Sequence, residues 1–77
     1  MTPELLKRAG EALYGPRWQS ALARDLGVSD RTIRRWVADH QYDYPKGLAG
    51  EIAALLKPRA DELALTLAEI RDAMARE

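Results

Sequence analysis

Residues 21–37 read "ALARDLGVSDRTIRRWV", and the spacing within this stretch decides the fold. Two helices joined by so short a glycine-bearing turn must cross steeply, so their inner residues have to be small or apolar at fixed places. Ala23 stands where the two helices approach most closely, and a larger side chain there would push them apart. Gly27 can take the left-handed backbone that the turn requires, because it has no Cβ. Ser29 is then the N-cap of the next helix, its oxygen placed to accept from the amide of Arg31 or Thr32. Ile33, Trp36 and Val37 form the inner face of that helix, with Leu22, Leu26 and Val28 beside them. The opposite face carries Asp30, Arg31, Arg34 and Arg35.

Working outward, Thr2-Pro3-Glu4 reads as a helix start: a hydroxyl cap, proline at the first helical position, and an acid at the positive end of the helix dipole. Leu5, Leu6, Ala9 and Leu13 recur at helical spacing after it, Gly10 weakens the run, and Gly15-Pro16 ends it. A second helix is expected from about Pro16 or Arg17 to Asp25, burying Trp18, Leu22, Ala23 and Leu26. Residues 38–47, "ADHQYDYPKG", form a polar connector. Pro45 is expected to start the next helix, with Leu48, Ile52, Leu55 and Leu56 on its apolar side. Pro58 removes an amide donor and crowds the preceding turn, so two helices are expected to meet there, a single kinked helix being the alternative. Ala60, Leu63, Leu67, Ile70 and Met74 then step by 3, 4, 3 and 4, a seam of about two heptads. No strand pattern or repeat interrupts this. The expected fold is all-α, about five helices, with residues 1–44 and 45–77 as two regions of one compact domain.

The 77-residue chain has no cysteine and a formal net charge of zero. Disulfides and thiolate metal sites are excluded, and a chain so short hides only about 60% of its unfolded surface, which favours sharing a core with a second copy. The zero net charge conceals a division. Residues 1–38 hold seven Lys/Arg against four acids (+3), and residues 39–77 hold five against eight (−3). One face suits a polyanion and another suits a different task. The N-terminus lacks the apolar core of a signal peptide and no run approaches a membrane span, so a cytoplasmic protein is expected.

Residues 17–38 resemble the helix-turn-helix of the Cro/phage-repressor (XRE-like) class on the residues just quoted, from Gln19 through Ala23, Gly27 and Ile33 to Trp36. The flanks resemble those of small regulators from bacterial genomes and mobile elements. The resemblance implies that the helix after Gly27 lies in the major groove of double-stranded DNA, its first turns reaching base edges. Arginine forks match the O6 and N7 acceptors of guanine, which ranks Arg31 and Arg34 as base readers and Arg35 as a phosphate contact. Asp30 is placed to accept from a cytosine amino group or to orient Arg34. Ser29 and Thr32 are short donors to phosphate or base, and Arg17 and Gln19 face the DNA backbone.

Several features carry plainer readings. Trp18 and Trp36 are core residues, and Tyr14 closes the first helix on the second. Tyr42 and Tyr44 either pack the connector or touch phosphate. His40 is a surface residue, since a lone histidine without cysteine makes a poor metal site. No nucleophile–base set, phosphate loop or paired-acid cleft can be named, so neither enzymatic activity nor a cofactor or small-molecule effector is expected. Leu56, Leu63, Leu67, Ile70 and Met74 are the expected dimer contacts, and Leu55 and Leu65 widen the apolar surface. The alternative for this seam is to cover the first three helices within one chain. A dimer predicts an inverted-repeat operator. The leading expectation is a dimeric DNA-binding regulator, most simply a repressor. The alternatives are an architectural or packaging factor, such as an excisionase or small terminase-like subunit, and a helical adaptor for an acidic protein.

Overall fold

A computed structural model describes residues 1–38 and 44–77. It contains α1 (Pro3–Tyr14), a single 3-10 turn (Gly15–Arg17), α2 (Trp18–Leu26), α3 (Asp30–Ala38) and α4 (Leu48–Arg76). The expected all-helical class holds, with four α-helices in place of about five. The expectations for His40 and Tyr42 lie outside the described residues.

The ends of α1 follow from its sequence. Thr2, in extended conformation, accepts from the Leu5 amide at 3.1 Å, and Pro3 occupies the first turn where its missing N–H costs nothing. Gly15 ends the helix at φ 80°, its own amide donating to the Glu11 carbonyl. Pro16 then fixes the 3-10 turn that leads into α2.

The core is shared by all four helices. Leu6, Trp18, Leu22, Ala23, Ile33, Trp36, Leu48 and Ile52 are buried together. Complete burial of a side chain such as Leu6, Leu22 or Ile33 is worth about 1.5–3 kcal/mol, so these positions dominate the stability of the fold. Tyr44 closes the core below α3: its hydroxyl donates to the Trp36 carbonyl at 3.0 Å, and its ring meets the Trp36 ring edge-on, centroids 6.1 Å apart. Trp36 Nε1–H has no acceptor among the described residues, so that indole holds the fold through apolar area. At the other end of the bundle, the Tyr14 hydroxyl donates to Asp25 at 2.5 Å and clasps α1 to α2. Desolvation, then the Asp25 carboxylate, push the Tyr14 phenol up to about 12. The phenol therefore keeps its proton, and the clasp its stabilising effect, until the pH rises above about 10.

Three expectations need correction. Leu5 does not join the core; it is 49% exposed, because Leu6 and Gly10 take the inward positions of α1. The last helix starts at Leu48, three residues after Pro45, because Gly47 stands at φ 87° and left-handed backbone cannot continue a right-handed helix. And α4 runs unbroken through Pro58 for 29 residues. Proline deprives the Ala54 carbonyl of its helical partner, but Ala54 and Pro58 are both exposed, so water can bond that carbonyl. Lys57 and Asp61 pair across the proline at 2.7 Å.

Past Pro58 every residue of α4 is exposed. The helix leaves the bundle as a rod and stretches the molecule to 51 × 23 × 21 Å. The radius of gyration is 15.6 Å, against about 11.5 Å for a globular domain of this length. No helix among the described residues is long and apolar enough to cross a membrane.

Gly10 has a role that its helix-weakening composition conceals. It is buried, and a Cβ there would come within 2.1 Å of the Trp18 ring, itself only 4% exposed. Gly10→Ala would gain about 0.5–1 kcal/mol of helix propensity. Forcing the Trp18 ring aside costs about 1–3 kcal/mol, so the clash wins. Urea unfolding should show the variant about 1–2 kcal/mol less stable; equal or greater stability would show that the ring yields freely.

Candidate nucleic-acid interface

The joint between α2 and α3 fixes where every side chain of α3 points. Gly27 adopts φ 73°, ψ 30°, the left-handed conformation that ends α2. Its amide donates to the Arg24 carbonyl at 3.2 Å, and the Val28 amide reaches back to Ala23 at 2.9 Å. This pair of bonds is a Schellman closure, and it satisfies two carbonyls that the helix end would leave unpaired. Val28 packs half-buried against the core and Ala23 is 1% exposed. Two residues on, the Thr32 amide donates to Ser29 Oγ at 3.1 Å and the Ile33 amide to the Ser29 carbonyl at 3.2 Å. Ser29 therefore caps α3 as its sequence position requires.

With both ends of the turn pinned, α3 presents two different faces. Ile33 is 0% and Trp36 2% exposed on the inside, while Asp30, Arg31, Arg34 and Arg35 are exposed on the outside. Arg31 and Arg34 make no hydrogen bond or ion pair among the described residues, whereas Arg35 is engaged within the protein. Three cations flank a single acid on this face, and two of them are uncommitted.

Asp30 differs from its expected role of orienting Arg34. Its carboxylate accepts from the Ser20 hydroxyl at 2.7 Å, tying the first turn of α3 to the first turn of α2. Ser20 had no role in the sequence reading, and a bond between residues ten apart on two helices leaves no signal in a linear pattern. The bond brings the other expected residues to the same side. Arg17, exposed at the end of the 3-10 turn, and Gln19, half-buried, line a shallow depression with Ser20 and Pro16. Ser29 and Thr32 spend part of their capacity on each other, their hydroxyls 3.0 Å apart, so both serve the cap first. Tyr44, an alternative phosphate contact, is used for packing as described above.

Among the described residues no cluster of His, Asp and Glu is arranged to hold a metal ion. The expected dimer contacts fall into two groups. Leu56 is half-buried against the core, whereas Leu63, Leu67, Ile70 and Met74 are 48–66% exposed. The alternative in which this seam covers α1–α3 of its own chain is not what the structure has. Comparison with protein-family models, with curated proteins and with solved structures returned no match.

The two uncommitted arginines should be dispensable for folding, and the cap should not. In urea titrations Ser29→Ala should lose about 1 kcal/mol of stability. Arg31→Ala and Arg34→Ala should each stay within about 0.5 kcal/mol of the parent protein. A loss above 1 kcal/mol in either arginine variant would make that side chain part of the scaffold.

Proposed function

We propose that this protein is a sequence-specific regulator that binds double-stranded DNA as a dimer, with α2, the Gly27 turn and α3 acting as a helix-turn-helix. The observation that carries this reading is the pair Arg31 and Arg34. Both are exposed and uncommitted, on a helix whose other face is sealed in the core and whose N-terminus is fixed by a cap, a Schellman turn and the Ser20–Asp30 bond. An arginine whose backbone is held this firmly loses little further freedom on binding, which suits it to bidentate contact with a guanine edge.

In this reading α3 enters the major groove, Arg31 and Arg34 meet base edges, and Arg35 lies toward phosphate. Arg17 and Gln19 approach the sugar–phosphate backbone beside the start of α2, where helix N-termini favour anions. Asp30 and Ser20 set the angle between the two helices, and the Asp30 oxygen that Ser20 leaves unused remains able to accept from a cytosine amino group. Two copies would present two α3 helices to successive major grooves and select an inverted repeat. A chain with little beyond the reader and its pairing helix is suited to repression by occupying a promoter.

Selection of bound sequences from random duplex DNA, followed by titration of the selected site, tests this directly. The selected sites should contain an inverted repeat with guanines at matched positions, and binding should weaken steeply with salt. Arg34→Ala should lower affinity for the selected site by about 10- to 150-fold, the value of one lost bidentate contact. Failure to enrich any duplex sequence, or unchanged affinity in the Arg34→Ala protein, would overturn the assignment of the reading face. Enrichment of bent, repeated sites would favour the architectural alternative.

A further inference from the structure

Two apolar surfaces of this molecule are left uncovered, and they lie on one side of it. The first is the exposed part of α4, where Leu63, Leu67, Ile70 and Met74 form a stripe. The second is a shallow groove between α1 and α4 lined by Leu5, Ala9, Ala12 and Leu56, with Arg8 and Glu11 at its rim. At 100° per residue, Ile52, Leu56, Leu63, Leu67, Ile70 and Met74 fall within an arc of about 60° on α4. The stripe is therefore a continuation of the face that α4 already packs against the bundle.

We propose that a second copy of the chain covers both surfaces at once. The two α4 helices run antiparallel and cross near Ala60, and the exposed half of each α4 lies in the α1–α4 groove of the other protomer. This specifies the dimer proposed above and does not depend on DNA binding.

Three observations favour this occupant and this direction. The first is area. A compact chain of 8.6 kDa exposes about 4,700 Å², whereas this one exposes 5893 Å². Hiding the excess on both copies buries about 2,400 Å², which is the size of an obligate homodimer interface. The second is length. A parallel pairing of the exposed halves alone would have about two heptads, short of the three or four that sustain a coiled coil, and would leave the α1–α4 groove open. The third is charge. Residues 61–77 carry five acids and two arginines, a balance of −3, and parallel pairing would set two such segments side by side. Antiparallel pairing sets each against the other protomer's body, whose residues 1–38 balance at +3 and whose Arg8 stands at the rim of the groove. Ala60, the smallest residue of the seam, falls where the two backbones would come closest.

Because the chain has no cysteine, introduced thiols report the arrangement without background. The full-length protein carrying both Ala12→Cys and Leu67→Cys is oxidised without DNA, and its disulfides are mapped by mass spectrometry. The expected product is a covalent dimer linked between positions 12 and 67. In the crossed arrangement the two copies of position 67 are about 20 Å apart, far beyond disulfide reach, so the Leu67→Cys protein alone should not cross-link to itself. In parallel, sedimentation should show the unmodified protein as a dimer. Leu67→Asp should raise the dissociation constant about 30-fold or more, with helix content per chain retained by circular dichroism. Cross-linking of position 67 to itself overturns the proposal in favour of a parallel coil, and a monomeric unmodified protein overturns it outright. Loss of duplex binding in a protein that still links 12 to 67 would count against the DNA reading alone.

Discussion

The left-handed backbone at Gly27 is the constraint on which the arrangement of this small protein depends. It ends α2, turns the chain, and delivers Ser29 where its side chain can cap α3. With the axis of α3 set in this way, Ile33 and Trp36 face inward and the arginines face out. A β-carbon at position 27 would place an L side chain in a region that only glycine visits cheaply, and the cost would fall on the angle between the two helices. The clasp from Ser20 to Asp30 acts on the same angle from the other side of the joint, so it is held at its turn and at its open end.

The energetics divide the molecule into two parts. The bundle up to Ile52 draws its stability from eight buried side chains. The exposed half of α4 has no such support; its ordered geometry rests on helix propensity and on exposed pairs such as Asp72–Arg76 at 2.9 Å, each worth about 0.3–0.5 kcal/mol. An unsupported helix of that length is only marginally stable in water. A second chain packed along the stripe supplies the missing burial, which connects the stability of the rod to the assembly of the protein.

Much of the fold could be read from the residues, for a physical reason. Thr2-Pro3, Gly15-Pro16, Gly27 and Ser29 act through their own backbone and their immediate neighbours, so local sequence contains their effect. The same is true of the inward set Leu22, Ala23, Ile33 and Trp36, whose helical spacing is enough to identify it. What escaped depends on distant partners. Gly10 looks like a weak helix residue until Trp18 is seen lying on it, and Asp30 looks like a partner for Arg34 until Ser20 arrives from another helix. Pro58 was read as a breaker because the rule for proline assumes a carbonyl without another partner, whereas here that carbonyl faces solvent. Arg31 and Arg34 were singled out correctly as outward-facing, but only the structure separates them from Arg35, which is engaged within the protein.

The central claim is that the outer face of α3 meets a DNA duplex while the exposed half of α4 does not. Nuclear magnetic resonance of isotopically labelled protein, titrated with a selected duplex, tests that claim residue by residue. The account predicts that the amides of Arg17, Gln19 and Ser29 through Arg35 shift and broaden, with Leu63 through Met74 left in place. Perturbation centred on Leu63 through Met74 with α3 unmoved, or no perturbation by any duplex, would contradict it.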